Sequence, residues 1–342
     1  MKKIIAAFAA ILVLAGPQAA AKKNAKPQIP VLEPMPMVYG DSTRTGIPYS
    51  KDPTVIRIGK EYYMYYSVPA YSKKLMPKDA AKEELGWNTA IARSKDLVNW
   101  TRVGELVLRD SKGSRIYGAV APCVKVFDGK IHMFYQKMWE PAGHKNNIWH
   151  ATSKDGITFT NAYDEPVFIP EAKWCGTRCI DAEVYKAGKK MILMFATRDP
   201  KGKIQMLGMA EAAYKSDYGP GKWTLVSKDG PFLKPDYDWE GHCIEAPTVI
   251  KEGKFWYLFY AGAYNHEKQQ IGLAVSSDGI HFDRINPGEP FFRSGENGSW
   301  NAWESGHPGV FRDKDGQVYL FFQGKAKQNS NYFLSVCRVK FD

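Results

Sequence analysis

The sequence predicts an all-β chain folded as a five-bladed β-propeller, with four-stranded antiparallel blades around a central axis. Three observations carry this. A motif recurs at positions 52, 121, 181, 246 and 307, spaced 60 to 69 residues apart. After each copy come a short apolar run, a glycine turn and an aromatic-rich run, the signature of a hairpin. Aromatic residues make up 13% of the 342 residues, which suits strands better than helices. A solenoid of all-β repeats this long matches known repeat periods poorly.

The chain opens with Lys2 and Lys3, an apolar run over 4–16 and Ala19-Ala20-Ala21. This is the charged, apolar and small-residue order of a signal peptide, with cleavage expected after Ala21. Residues 1–21 are therefore set aside, and export, to the periplasm or beyond the cell, is expected. The apolar run is too short to span a bilayer, and no later segment is long enough, so no membrane partner is expected. Residues 22–40 form an N-terminal segment, and 41–342 form the propeller.

Blade one opens at Asp52-Pro53-Thr54-Val55 and turns at Gly59; blade two opens at Ala121-Pro122-Cys123-Val124 and turns at Gly129. Blade three opens at Asp181-Ala182-Glu183-Val184, blade four at Ala246-Pro247-Thr248-Val249, and blade five at His307-Pro308-Gly309-Val310. Third strands are expected over 89–93, 148–152, 204–210, 271–276 and 332–336. Related turns follow three of them, starting at Ser94, Ser153 and Ser277, each ending in an aromatic that starts a fourth strand. Blade five runs out of chain after its third strand. Either it has three strands, or residues 31–39 supply the fourth and remove an open edge. Residues 77–85 read as a short helical insertion.

The net charge is +11, but it is dispersed. No basic tract, nucleic-acid motif or phosphate loop accompanies it, so no nucleic-acid partner is expected. A solvated basic surface explains the charge better than an anionic glycan does. Five cysteines are too few for a disulfide scaffold or a zinc ribbon. A Cys175–Cys179 bridge is open to an exported chain, and the odd total leaves at least one free thiol.

Topology decides which residues meet. The first strand of each blade is innermost, so Asp52, Asp181, Glu245 and His307 are expected to converge on one face of the disc. Loops and connectors on that face add Arg178, Arg198, Trp139, Trp239 and Trp303. Converging carboxylates suit glycosidic cleavage, which needs one group to protonate the leaving oxygen and one to activate water. Aromatic faces stack on sugar rings. The competing reading has each Asp capping a turn, but the other blades do not keep Asp there.

These residues resemble the clan of five-bladed propeller glycosidases, especially glycoside hydrolase family 43 and its relative family 117. The resemblance is carried by Lys51-Asp52-Pro53, Ile180-Asp181, Glu245-Ala246-Pro247 and Gly306-His307. It implies Asp52 as general base, Asp181 as pKa modulator, Glu245 as general acid and inversion at the anomeric carbon. Their place on the same face leads us to expect that His307, with Trp303, Trp239, Trp139, Arg178 and Arg198, contacts the oligosaccharide or polysaccharide substrate. No cofactor is required; a divalent cation such as calcium in the axial channel, near His307, is the one metal expected. Val120-Ala121-Pro122-Cys123 departs from the family's usual Trp-Ala-Pro-Asp, and Glu245-Ala246-Pro247 from its Glu-Gly-Pro. The expected function is an exported glycoside hydrolase acting on plant or algal glycans, and a propeller that binds glycans without cleaving them is the rival.

Overall fold

The structure, a computed structural model, describes residues 26–138, 146–176 and 178–341. The predicted signal peptide and Trp139 lie outside the described residues. Each repeat folds into one sheet, and the five sheets surround an axis lined by their first strands: Lys51–Ile58, Ala119–Phe127, Ile180–Ala187, Ile244–Glu252 and Glu304–Arg312. The second strands, such as Glu61–Val68 and Phe255–Gly262, return antiparallel through the glycine turns.

Val31–Pro34 pairs antiparallel with Phe333–Lys340, so the N-terminal segment supplies the outer strand of blade five. Joining the two ends of the chain in one sheet closes the ring and hides an edge. Blade two is larger than four strands. Val107–Arg109 lies parallel to Thr158–Asn161 and carries the short strand Arg115–Ile116, giving a six-stranded sheet.

The core is divided into five layers, one between each pair of blades. Phe321 and Leu334 meet Val55 and Met64 between blades five and one; Phe134 and Ile148 meet Val184 and Leu193 between blades two and three. All eight are at most 5% exposed. Such packing explains why both faces of most strands are apolar and the alternation of a half-exposed sheet is missing.

Two local expectations change. The helix over 77–85 narrows to one 3-10 turn, Lys82–Leu85, which buries no side chain. Nothing there offsets the cost of helix nucleation. In blade four the serine that caps the turn is Ser276, one residue before the predicted Ser277. Its hydroxyl accepts from the Asp278 and Gly279 amides, as those of Ser94 and Ser153 do in their own turns. All five cysteines are free, so the Cys175–Cys179 bridge is not formed.

Candidate active site

The axial end of every first strand is bulged. The pairing with strand two shifts between Lys51 and Thr54, Val120 and Cys123, Ile180 and Glu183, Glu245 and Thr248, and Gly306 and Gly309. The first residue inside each bulge has positive φ: Asp52 54°, Ala121 45°, Asp181 54°, Ala246 50° and His307 43°. Proline follows in four of the five blades, where its missing N–H costs no ladder bond. Five non-glycine residues held in this region mark a site whose backbone serves function. The bulge turns the side chains of Asp52, Asp181 and His307 toward the axis. Glu245 sits one position earlier in its blade, equivalent to Lys51 rather than to Asp52.

His307 lies between the two outer carboxylates. Its Nδ1 is 2.9 Å from Asp52 Oδ1 and its Nε2 is 2.9 Å from Glu245 Oε1. Burial works against a charged imidazole, but Asp52 and Glu245 outweigh it and raise the His307 pKa well above the usual value. Both nitrogens then carry protons. Burial also pushes the Asp52 carboxyl up; the His307 and Lys51 charges overcome this and hold it below the ordinary range. Lys51, 8% exposed and lying over the Tyr332 ring, is a contributor the sequence reading did not single out.

Asp181 behaves in the opposite way. Burial dominates, and the nearby Glu245 and Asp52 charges add to it, so its pKa rises to about 6 despite the pull of His307. Its Oδ2 is buried without a partner. Glu245 is lowered: burial raises it, but His307, Lys51 and Arg178 prevail. Asp181 is therefore the carboxyl of this cluster that keeps its proton to the highest pH, while Glu245, held against His307, is ionised.

Four glutamines place these acids. Gln269 Nε2 donates to Glu245 Oε1 at 2.9 Å, and Gln205 Nε2 donates to Glu245 Oε2. A side chain at Gly306 would collide with Gln269, so that glycine opens the route to Glu245. Gln323 Oε1 accepts from the Asp52 amide at 3.0 Å and Gln136 Oε1 from the Asp181 amide at 2.9 Å. Ser67 Oγ takes the Ala121 amide in the same way. Ser67, Gln136 and Gln323 occupy one position on the second strand, each serving the next blade around the ring. The equivalent residues in blades three and four are Ala196 and Ala261. That periodic polar residue in an otherwise apolar strand was a legible signal.

The remaining predicted residues divide. Arg178 and Arg198 both reach Gln205 Oε1, at 3.3 and 3.2 Å, which brings them beside Glu245. Trp303 is half-buried, its Nε1 enclosed without a partner. Trp239 is packed: its ring lies against Gly262 and stacks on Tyr260, with centroids 6.1 Å apart. Tyr264 and His266 stack at 5.4 Å on the same rim, with Arg198 over the tyrosine. Asp181, Glu245 and His307 also bring one possible ligand atom each to within 4.8 Å of one another. Calcium prefers six to eight oxygens, whereas this trio offers two carboxylates and an imidazole that would first have to lose a proton.

This geometry has a counterpart in known proteins. The sequence matches the description "Glycosyl hydrolases family 43" over residues 47–337. The chain belongs to that family. It is similar to a xylan 1,3-beta-xylosidase from Vibrio sp, at 21% identity over 80% of this chain and 47% of the other. It thus spans about half the length of that curated relative. A thermostable family-43 glycoside hydrolase superimposes with TM-score 0.67 at 19% identity, over 86% of this chain and 90% of that one. The alpha-L-arabinofuranosidase of Lactobacillus brevis gives 0.61 at 19% identity, over 86% and 91%. That of Podospora anserina, in complex with cellotriose, gives 0.64 at 15% identity, over 92% and 98%. These likenesses share the propeller.

Proposed function

We propose that this glycoside hydrolase cleaves a glycosidic bond in a xylan- or arabinan-type glycan, by an inverting mechanism, after export from the cell. The observation that carries the reading is the division of proton affinity within one cluster. Asp52 is held ionised, as a base that activates water must be, while Asp181, beside Glu245, keeps its proton to about 6. Pairs of groups whose environments push their pKa values apart mark acid and base assignments.

In this mechanism Asp52 takes a proton from water as its oxygen attacks the anomeric carbon. Once protonated, Glu245 delivers its proton to the leaving oxygen, and the neighbouring Asp181 carboxyl sets how readily that proton is held. Substrate entering the site displaces the Glu245–His307 contact and frees Glu245 for this role. His307 stays paired with Asp52, and Trp303 and Tyr264 face the sugar rings. No step is assigned to a metal.

The experiment is a panel of aryl xylosides, aryl arabinofuranosides and the matching oligosaccharides, with the first anomer released followed by NMR. Turnover with inverted configuration is expected. Retained configuration removes Asp52 as base, and sugar binding without turnover selects the non-catalytic glycan-binding propeller.

A further inference from the structure

Beside Glu245 lies a recess of about 630 Å³ lined by Asn146, Cys175, Arg178, Arg198, Asp199 and Lys201, among others. Its charge is unbalanced. Arg178 and Arg198 are half-buried and converge on one amide oxygen, Gln205 Oε1. Among the described residues neither guanidinium is paired with a carboxylate. Among the described residues the only carboxylate lining the recess is that of Asp199, and its Oδ1 already accepts from the backbone amides of Lys203 at 2.6 Å and Ile204 at 2.8 Å. Arg178 Nε is buried with no partner among the described residues. Lys201 adds a third cation.

Two guanidiniums sharing one neutral acceptor repel each other, and partial burial strengthens that repulsion. A buried donor left without an acceptor adds a further cost. Both costs disappear when an anion enters. The planar fork of a guanidinium matches a carboxylate through two parallel N–H···O bonds. We infer that this recess receives a carboxylate-bearing sugar, a uronic acid residue next to the bond that is cleaved, held by Arg178 and Arg198. The inference rests on the hydrolase reading, and it adds a charge requirement that the acid–base cluster does not have. The rival role for these arginines is to balance Glu245 across Gln205, which would serve neutral and acidic substrates equally.

The test uses one oligosaccharide in two forms: xylotriose bearing a single glucuronic acid branch, and the same compound as its methyl ester. Esterification removes the charge and keeps the sugar. The wild-type protein should favour the free acid in kcat/KM by at least about tenfold, the scale of hydrogen bonds to charged groups. Arg198→Gln should bring the ratio close to one, and Arg198→Lys, which keeps the charge but loses the fork, should fall between. Equal turnover of the two wild-type substrates overturns the inference and leaves the hydrolase reading intact. If neither form is turned over, the hydrolase reading fails separately, and calorimetry with the same pair decides the recess, equal affinities overturning it. A sulfate ester preferred over the free uronate overturns the assignment to a carboxylate. Should Arg198→Gln fail to fold, the wild-type ratio alone decides.

Discussion

The two mouths of the axial channel are made by the same five strands and carry opposite charge. At one end stand Asp52, Asp181 and Glu245 around His307. At the other, each first strand carries a cation near its end: Arg57, Lys125, Lys186, Lys251 and Arg312 surround a cavity of about 530 Å³, and among the described residues no acid lines it. The acids are few: Asp181 and Glu245 are buried, at 7% and 5% exposure, as is His307 at 6%, and Asp52 is half-buried. Of the cations, Lys186 and Lys251 are exposed and rest on Tyr214 and Trp256, at 4.0 and 4.2 Å from the ring centroids. Arg57 and Arg312 are neutralised by Asp313 and Glu252. The smaller set of charges therefore has the larger consequences. In the buried mouth a neighbouring charge shifts proton affinity strongly; at the open mouth water and salt screen it.

The comparison is broken most sharply by removing the buried charges. Glu245→Gln and Asp52→Asn should each lower kcat by at least about 100-fold, the usual scale of general acid–base catalysis. Circular dichroism should show the fold intact, because both side chains face the channel rather than the layers between blades. Near-normal turnover by either variant would take that residue out of the mechanism.

A smaller loss is expected at the rim. Trp303→Ala should weaken substrate binding by ~1–3 kcal/mol, the scale of one buried apolar side chain. Its melting temperature should stay close to that of the parent. Large destabilisation with an unchanged KM would return Trp303 to the core.

Asp181→Asn sharpens the comparison through pH. Its carboxylate raises the proton affinity of the pair, so its removal lowers the pKa of the proton that Glu245 must hold. Activity should then be lost at lower pH than in the parent, with the alkaline limb of the kcat profile moving down. A pH–rate profile that does not move would leave Asp181 only in contact with substrate.

The smallest effect is expected at the far mouth. Lys186→Gln and Lys251→Gln, combined, should leave kcat/KM within about twofold and stability within about 0.5 kcal/mol per site, as surface substitutions usually do. A tenfold loss of activity would show that the two ends communicate through the channel.

Much of this was legible in sequence. Periodic first strands, glycine turns and aromatic second strands located all five blades, because a repeat must bury its faces against copies of itself. The positions of Asp52, Asp181, Glu245 and His307 followed from topology alone. The support was harder to read. Gln136 and Gln323 bond to the amide of the next blade in the ring, and for Gln323 that blade is 271 residues away. Gln269 reaches Glu245 only because Gly306 leaves space.

By itself, then, the sequence determined the repeat, the number of blades and which acids share a face, since local hydrophobic pattern and strand order suffice for those. Only the tertiary structure decided their chemistry. Whether a carboxyl is ionised depends on burial and on the charges within a few ångströms of it. Asp52 and Asp181 hold the same place in their blades, with φ of 54° in both. His307 and Lys51 keep one ionised, while burial among like charges leaves the other near 6. Chain order does not state which charges become neighbours when blade five closes against blade one, and that closure gives identical residues opposite roles.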